Sequence, residues 1–328
     1  MKPAIVLIVA ACVLSFAAEA RITYELSIKG ALARVAFKVV DQDGAAVPGA
    51  KVWGGFSANL IRDSVLVDGV TNTNGEFIAQ GKCNEFLRVD ITKDGYYRSE
   101  EKINFWRSKA DPVVVDGRWQ PYGETRTVVL KKIRNPYAVK VFSDEQCICK
   151  IPAFGQWLPF DMERSDWLAP YGNGVHDDVL LRFQKKLTDK WYEFAFSMEA
   201  CFTNNPHAGV YIRPIDAYSD LKTGYHADTN AVFATYYAFS LDSMSKKKVG
   251  LDENSYLVFR TRTRVDENGK LVGAHYGKYS RGWRSDAKEM GFGAGCFNPV
   301  ENDTNIEGDQ PLLYAIRNYG STNYGKKK

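Results

Sequence analysis

The chain has 328 residues, of which 45% are hydrophobic and 25% are charged, which is typical of a globular protein and excludes a disordered or fibrous one. Its 43 basic and 39 acidic residues nearly balance, so the charge gives no reason to expect a nucleic-acid partner. Aromatic residues make up 13% of the chain, which favours strands. The length predicts about two domains of ~100–200 residues each.

Residues 1–20 have the pattern of a secretory signal peptide. Lys2 precedes an apolar stretch over residues 4–17, and the small residues Ala18 and Ala20 lie where a signal peptidase would cut. The stretch is shorter than the ~18 residues that a membrane-spanning helix needs. We therefore expect a secreted or cell-envelope protein without a transmembrane helix.

A lipoprotein is the alternative to a cleaved signal peptide. Residues 9–12 resemble a bacterial lipobox, in which Cys12 would carry the lipid. Cleavage at that point would leave the apolar residues 13–16 on the mature protein, whereas cleavage after Ala20 would start it at Arg21. We therefore expect the lipid anchor less than the cleaved signal peptide.

Five cysteines remain in the chain after the signal peptide. Export makes disulfides possible, but an odd number with wide separations does not form a dense framework. We expect one or two bridges, with Cys201 and Cys296 as one pair, together with a buried thiol. The five cysteines are Cys83, Cys147, Cys149, Cys201 and Cys296.

Residues 21–134 have the pattern of short strands separated by turns. Leu87, Val89 and Ile91 alternate with polar residues, which is the period of a half-buried strand. The turn before the preceding strand contains Gly75, which tolerates a positive φ. About seven such strands with no credible helix predict a β-sandwich.

Four motifs of this region follow one another in the order seen in a known family. They are Val39–Gly44, Val47–Val52, Thr71–Phe77 and Leu87–Tyr96. In order and spacing they resemble the carboxypeptidase regulatory-like domain, also called transthyretin-like or prealbumin-like, over about a third of the chain. The resemblance implies a seven-stranded Greek-key accessory domain of exported proteins, usually without catalysis of its own.

A second domain is predicted after the turn-forming residues 134–136. Residues 137–328 are again rich in strands and match no family that the sequence suggests. The strongest hairpin pattern has arms at Tyr256–Val265 and Lys270–Tyr279 around the turn Asp266–Gly269. We expect a larger sandwich of the jelly-roll type, so that the whole protein is all-β with two β-sandwich domains.

The first arm of this hairpin alternates between two kinds of residue. Phe259 and Thr261 fall on one face with the other apolar and threonine positions of the arm, and Arg260, Arg262 and Arg264 fall on the opposite face. The pattern therefore predicts a strand with its three arginines together on one face.

Five carboxylates lie within 18 residues of the second domain. Two of them could flank a glycosidic bond as acid and base, which makes a polysaccharide hydrolase one hypothesis. The alternative is that they cap turns and accept hydrogen bonds from backbone N–H groups. The residues are Asp161, Glu163, Asp166, Asp177 and Asp178.

The loop over residues 298–309 carries oxygen-bearing side chains at alternate positions. Calcium prefers such ligands, although the loop does not have the order of an EF-hand. A solvated connector between strands is the alternative. The candidate calcium ligands are Glu301, Asp303, Asn305, Glu307 and Asp309.

Aromatic residues are frequent in the second domain, Trp157 among them. Exposed aromatic rings beside polar groups bind sugars by stacking, whereas the alternative is that most of these rings fill the core. The candidate binding residues are Trp283, Tyr279, Arg281 and Tyr276, with Trp283 expected to be exposed.

The sequence contains no complete catalytic motif, neither a G-x-S-x-G elbow nor an H-E-x-x-H zinc motif. We therefore expect an exported, non-catalytic module in which the first domain is a scaffold and the second binds a carbohydrate or a surface protein. The hydrolase is the first alternative, and a purely structural envelope component is the second.

Overall fold

A computed structural model describes residues 29–57, 65–105, 114–136, 139–142, 148–187, 194–202, 205–216, 218–242, 247–250, 254–280, 284–285, 289–291 and 295–308. These residues form 23 strands, and the fold is all-β, as the sequence predicts. The chain contacts divide into two compact units, with the division between Ile133 and Arg134.

The signal-peptide prediction and the lipobox cysteine, Cys12, lie outside the described residues. In the part of the chain that the structure describes, no helix is long and apolar enough to cross a membrane.

The first unit contains nine of the strands, numbered here in chain order. They are β1 (Ala31–Asp41), β2 (Lys51–Phe56), β3 (Leu66–Val70), β4 (Glu76–Cys83), β5 (Phe86–Thr92), β6 (Ser99–Asn104), β7 (Val114–Val115), β8 (Arg118–Trp119) and β9 (Glu124–Leu130). One sheet has the order β4-β1-β8-β7, with β9 also paired to β1 in parallel, and the other has the order β3-β2-β5-β6.

Both sheets of the first unit bury side chains in one core. Phe37 from β1 and Ile91 from β5 belong to the same buried cluster, so the two sheets pack face to face. Trp119 is also in this cluster, and its Nε1 donates to the carbonyl oxygen of Cys83 at 2.7 Å. Cys83 is 0% exposed and is therefore the expected buried thiol, and its burial raises the pKa of the thiol to about 11.

The second unit contains the remaining fourteen strands. They are β10 (Lys140–Phe142), β11 (Ile148–Lys150), β12 (Trp157–Asp161), β13 (Asp166–Trp167), β14 (Val179–Leu187), β15 (Phe194–Cys201), β16 (Gly209–Pro214), β17 (Tyr236–Asp242), β18 (Lys247–Val249), β19 (Ser255–Val265), β20 (Leu271–Ser280), β21 (Arg284–Ser285), β22 (Glu289–Gly291) and β23 (Gly295–Phe297).

Two large sheets organise the second unit. A six-stranded sheet has the order β13-β12-β14-β15-β17-β18, and a five-stranded sheet has the order β10-β23-β20-β19-β16. Phe183 and Met198 of the first sheet share a buried cluster with Phe259 and Phe297 of the second, so one core lies between them. A three-stranded sheet, β11-β22-β21, accompanies them.

The long hairpin is confirmed as β19 and β20, but its first arm is not regular. The pairing register shifts between Thr261 and Arg264, and Arg262 has a φ of 49°. This is a β-bulge, in which an extra residue bends the strand and re-aims a side chain. The prediction that Arg262 shares one face of the arm with Arg260 and Arg264 is therefore wrong, because Arg262 and Thr261 both bond to Asp178.

The predicted bridge between Cys201 and Cys296 is also wrong, because neither residue is in a disulfide. Their chain neighbours Ala200 and Phe297 point into the core between the two large sheets. Since successive side chains of a strand point to opposite faces, the two sulfurs point away from each other. Cys147 lies outside the described residues.

Candidate functional site

Arg262 lies among three of the carboxylates that the sequence singled out. Its Nε and Nη2 donate to the two carboxylate oxygens of Asp178 at 2.9 and 3.0 Å, and its Nη1 donates to Glu163 at 2.6 Å. A further bond joins Nη2 to Asp161 at 3.3 Å. The guanidinium also lies 4.7 Å from the ring centroid of Phe297, which favours the cation further.

The carboxylates of this cluster are bound by the protein itself. Asp161 is fully buried and accepts backbone N–H bonds from four residues: Glu163, Arg164, Val175 and His176. Burial alone would raise its pKa, but the bonds from Val175, Arg164 and His176, together with Arg262, hold the pKa below its usual value.

The pKa is raised in two of the carboxylates, Asp178 and Asp177, and a third, Asp166, accepts backbone hydrogen bonds. Burial is the main cause that raises the pKa of Asp178, partly opposed by Arg262. Burial and then Asp178 also raise the pKa of Asp177. Asp166 accepts the backbone N–H of Trp167 at 2.8 Å and that of Asn173 at 2.9 Å.

The cluster therefore has a structural role, because its ion pairs join the two large sheets. Asp161 and Asp178 border strands of the six-stranded sheet, whereas Arg262 belongs to the five-stranded sheet, so the ion pairs cross the core. With relative exposures of 0% and 1%, the two aspartates are not open to a bound polymer. This arrangement matches the capping alternative for the carboxylates.

The predicted calcium loop uses its oxygen atoms for other bonds. Glu301 forms a two-point ion pair with the exposed Arg264, at 2.7 and 2.8 Å. Asp303 accepts the backbone N–H of Asn305 at 3.0 Å, as a turn-forming aspartate does. Asp309 lies outside the described residues.

Glu307, the remaining carboxylate of this loop, is 1% exposed and binds the start of the second unit. Its two oxygens accept the backbone N–H groups of Arg134 and Asn135 at 2.8 and 2.7 Å. Asn305 donates to the carbonyl of the same Asn135 at 2.9 Å. Among the described residues, no group of three or more His, Cys, Asp or Glu side chains could hold a metal ion.

Two of the four residues of the predicted sugar platform are buried. Tyr276 and Tyr279 are only 4% and 3% exposed, and Tyr279 packs against Phe259 with ring centroids 5.5 Å apart in the core between the sheets. Neither tyrosine can therefore stack on a sugar, because both fill the interior. The other two members, Arg281 and Trp283, lie outside the described residues.

A different set of residues forms a row across the outer face of the six-stranded sheet. We call Trp157, Arg182, Glu199 and Tyr236, which come from β12, β14, β15 and β17, the cross-strand row. The guanidinium of Arg182 lies 4.6 Å from the Trp157 ring and donates to both oxygens of Glu199, at 2.7 and 2.9 Å. The Tyr236 hydroxyl donates to Glu199 Oε1 at 2.5 Å.

The ends of the row are accessible, since Trp157 is 36% and Tyr236 is 50% exposed. Beside the row lies a depression of about 290 Å³. The small residues Ser197, Ala238 and Ser240 leave space above the sheet beside the longer side chains of Gln184, Glu199 and Tyr236. The lining consists of Gln184, Ser197, Met198, Glu199, Tyr236, Ala238, Phe239 and Ser240.

Hydrogen bonds within the cross-strand row shift the pKa values of Glu199 and Tyr236. The bond from Arg182, and then the bond from Tyr236, lower the pKa of Glu199. The same carboxylate raises the pKa of Tyr236. At neutral pH the row therefore presents a carboxylate, a guanidinium and a protonated phenol in fixed positions. Such a surface can stack a ring at either end and exchange hydrogen bonds with hydroxyl groups between them.

Of the row, only Trp157 stands out in the sequence as a candidate aromatic residue. The alternation of β14, in which Leu181 and Phe183 are buried and Arg182 and Gln184 lie between them, was the available signal. It marks the solvent side of one strand only. The meeting of Arg182 with Glu199 depends on the register between β14 and β15, which the alternation does not give.

No family model matches the chain, and no curated protein matches it, so the resemblance of its first third to the carboxypeptidase regulatory-like domain stays a prediction. Solved structures that resemble it include 3-chlorocatechol 1,2-dioxygenase from Rhodococcus opacus 1CP, with 18% identity over 32% of this chain and 61% of that one, at a TM-score of 0.24. A streptococcal ancillary pilin has 11% identity over 85% of this chain and 63% of its own, at a TM-score of 0.22.

A putative carbohydrate-binding protein from Bacteroides uniformis is also similar, with 12% identity over 83% of this chain and 98% of its own, at a TM-score of 0.18. The chain spans less than two thirds of the length of the dioxygenases that it matches. All of these TM-scores are too low to assign a shared fold or a function to this chain.

Proposed function

We propose that this chain is an exported, non-catalytic protein that binds a glycan on the outer face of its six-stranded sheet. The cross-strand row beside the depression is the single observation that carries the proposal. The row joins an indole, a guanidinium, a carboxylate and a phenol on four strands, and each belongs to a type of group that binds sugars.

The dimensions of the face fit an oligosaccharide. From β12 to β17 there are three strand spacings, or about 14 Å at ~4.8 Å each, which is close to the length of an extended trisaccharide. The Trp157 and Tyr236 rings at the two ends would contact the outer sugars. The depression, with Gln184 and two serines, would receive hydroxyl groups of one ring.

The rest of the molecule fits a binding role in this proposal. The first unit would be a transthyretin-like Greek-key scaffold, and the second a jelly-roll-like sandwich that carries the glycan face. The buried state of Asp161 and Asp178 supports binding without hydrolysis, since a glycosidase needs its two carboxylates beside the scissile bond. The signal peptide would deliver the protein to the cell surface or the medium.

A glycan array tests the proposal. The chain from Arg21 onward is screened, and the affinity for the best glycan is measured for the parent, Trp157→Ala and Trp53→Ala. Trp53, which is 50% exposed on the first unit, is the matched control. We expect Trp157→Ala to weaken binding about tenfold or more, as loss of a ring from a binding surface does, and Trp53→Ala to bind as the parent does.

The same screen separates the alternatives. If no glycan is retained, or if both tryptophan variants bind equally well, the proposed function is wrong. A repeat of the screen with chelator tests the calcium hypothesis for the loop at residues 301–309. Because its described carboxylates are already bonded within the protein, we expect the chelator to leave glycan binding unchanged.

A further inference from the structure

The two charged residues of the cross-strand row do not face the depression equally. Glu199 lines it, whereas Arg182 is not among the lining residues. The guanidinium of Arg182 lies over the Trp157 ring, and its Nε and Nη2 both donate to the carboxylate. A ligand in the depression therefore faces the carboxylate of the ion pair and not its guanidinium. The described residues that line it include no lysine, arginine or histidine.

The bonds already made by Glu199 leave it able to accept, but not to donate. Its Oε1 accepts from Arg182 Nη2 and from the Tyr236 hydroxyl, and its Oε2 accepts from Arg182 Nε. A carboxylate offers about four acceptor positions, so about one remains, on Oε2. A sugar hydroxyl can donate to that position, whereas an ionised ligand carboxylate has no proton to give.

From this geometry we infer that the depression selects uncharged sugars over uronic acids, and that Glu199 is the residue that selects. The inference rests on the proposed glycan function and names its substrate class. A uronate in the depression would place a second carboxylate beside that of Glu199, and like charges repel. Arg182 is already paired with Glu199 and does not line the depression, and none of the other described lining residues is a cation. A neutral hexose would replace the same contacts by hydroxyl hydrogen bonds to Glu199, Gln184 and the serines.

The test uses three forms of each sugar. The array carries gluco-, galacto- and manno-configured trisaccharides, each as the neutral sugar, as the C6 uronate and as the methyl ester of that uronate. We expect the parent protein to bind at least one neutral trisaccharide and its methyl ester, and to bind the matched uronate at least tenfold more weakly. The ester separates the effect of charge from that of size.

Variants identify the residue responsible. Glu199→Gln keeps the shape but removes the charge and leaves Arg182 without its counter-ion, so we expect the uronate to bind as well as the neutral sugar or better. Tyr236→Phe removes one donor and keeps the carboxylate, so we expect the discrimination to persist. Glu267→Gln, at the exposed hairpin turn, is the matched control and should behave as the parent does. Thermal unfolding verifies that each variant is folded.

The outcomes separate this inference from the function on which it rests. If the parent binds no trisaccharide of any form, the proposed glycan function fails, and this inference fails with it. If the parent binds the uronates as tightly as the neutral forms, the glycan function stands and the selection is wrong. If Glu199→Gln keeps the tenfold discrimination, Glu199 is not the selecting residue.

Discussion

Arg262 and Asp178 form a two-point ion pair across the core of the second unit, with Nε to Oδ1 and Nη2 to Oδ2 distances of 2.9 and 3.0 Å. The arginine reaches the aspartate because the β-bulge in β19 gives it a positive φ of 49°. Its side chain is 17% exposed, and that of Asp178 is 0% exposed. The pair thus joins the two large sheets, and its carboxylate is buried from water.

Replacing Arg262 by methionine should destabilise the protein strongly. The substitution leaves the buried Asp161 and Asp178 without a cation, and breaking a buried pair by removing one partner costs about 3–5 kcal/mol. Urea unfolding followed by tryptophan fluorescence measures the free energy of unfolding. The control is Arg264→Met, which breaks the exposed pair with Glu301 and should change stability little. Equal losses in the two variants would contradict the account.

The stability that Asp161 provides should depend on pH. Its pKa is lower in the folded protein than the usual value of 3.8. Its contribution is therefore complete above the unfolded-state pKa and is lost as the pH falls through the folded-state pKa. We expect Asp161→Asn to lower the free energy of unfolding by about 1–3 kcal/mol at pH 7, because a buried hydrogen-bond network loses a charged acceptor.

Unfolding measured from pH 7 downward checks this prediction. The difference in the free energy of unfolding between the parent and Asp161→Asn should become smaller once the pH falls below about 3.8. Asp68→Asn, whose side chain is exposed on β3, is the control and should remain close to the parent in stability. A parent–variant difference that does not change with pH would show that the charge of Asp161 is not what stabilises the fold.

Gly277 should not tolerate a side chain. A Cβ at this position of β20 would lie 2.2 Å from a ring carbon of Phe259 and 2.4 Å from the carbonyl oxygen of Cys296. We expect Gly277→Ala to lower the free energy of unfolding by about 1–3 kcal/mol, as overpacking of a core does. Gly224→Ala is the control, because its Cβ would meet nothing nearer than 3.7 Å. Similar melting temperatures for the two variants would disprove the close packing of β20.

Glu307 should be needed to hold the start of the second unit. Glu307→Ala removes the acceptor of two backbone N–H groups, those of Arg134 and Asn135, and we expect a loss of about 1–3 kcal/mol. Glu307→Gln keeps one carbonyl oxygen and should lose less. Hydrogen exchange of the two amides gives a local measurement, and the prediction fails if they exchange as slowly in Glu307→Ala as in the parent.

Side-chain alternation made much of the second unit predictable. The pattern of Tyr256–Val265 and Lys270–Tyr279 around a glycine-containing turn matches β19 and β20 within one residue at the outer ends. These elements depend on local periodicity and turn chemistry, which a single sequence contains.

The bulge and the cross-strand row were not predictable in the same way. The bulge at Arg262 is set by the burial of its carboxylate partners, Asp161 and Asp178, which lie more than eighty residues earlier in the chain. The row brings Glu199 to Arg182 through a register that several strands determine together. The sequence pattern predicted an aromatic surface formed by Tyr276, Tyr279, Arg281 and Trp283 instead. Of these, the two tyrosines are buried, because alternation does not show which face of a strand is covered by a further layer.

Mapping the bound glycan by NMR tests the central claim most directly. Amide chemical shifts of the isotope-labelled chain are followed while the best array glycan is titrated. The account predicts that the largest changes are at Gln184, Ser197 and Ser240, together with the indole N–H of Trp157. Changes confined to residues 29–133, or to the five-stranded sheet around Tyr211, would contradict the glycan face.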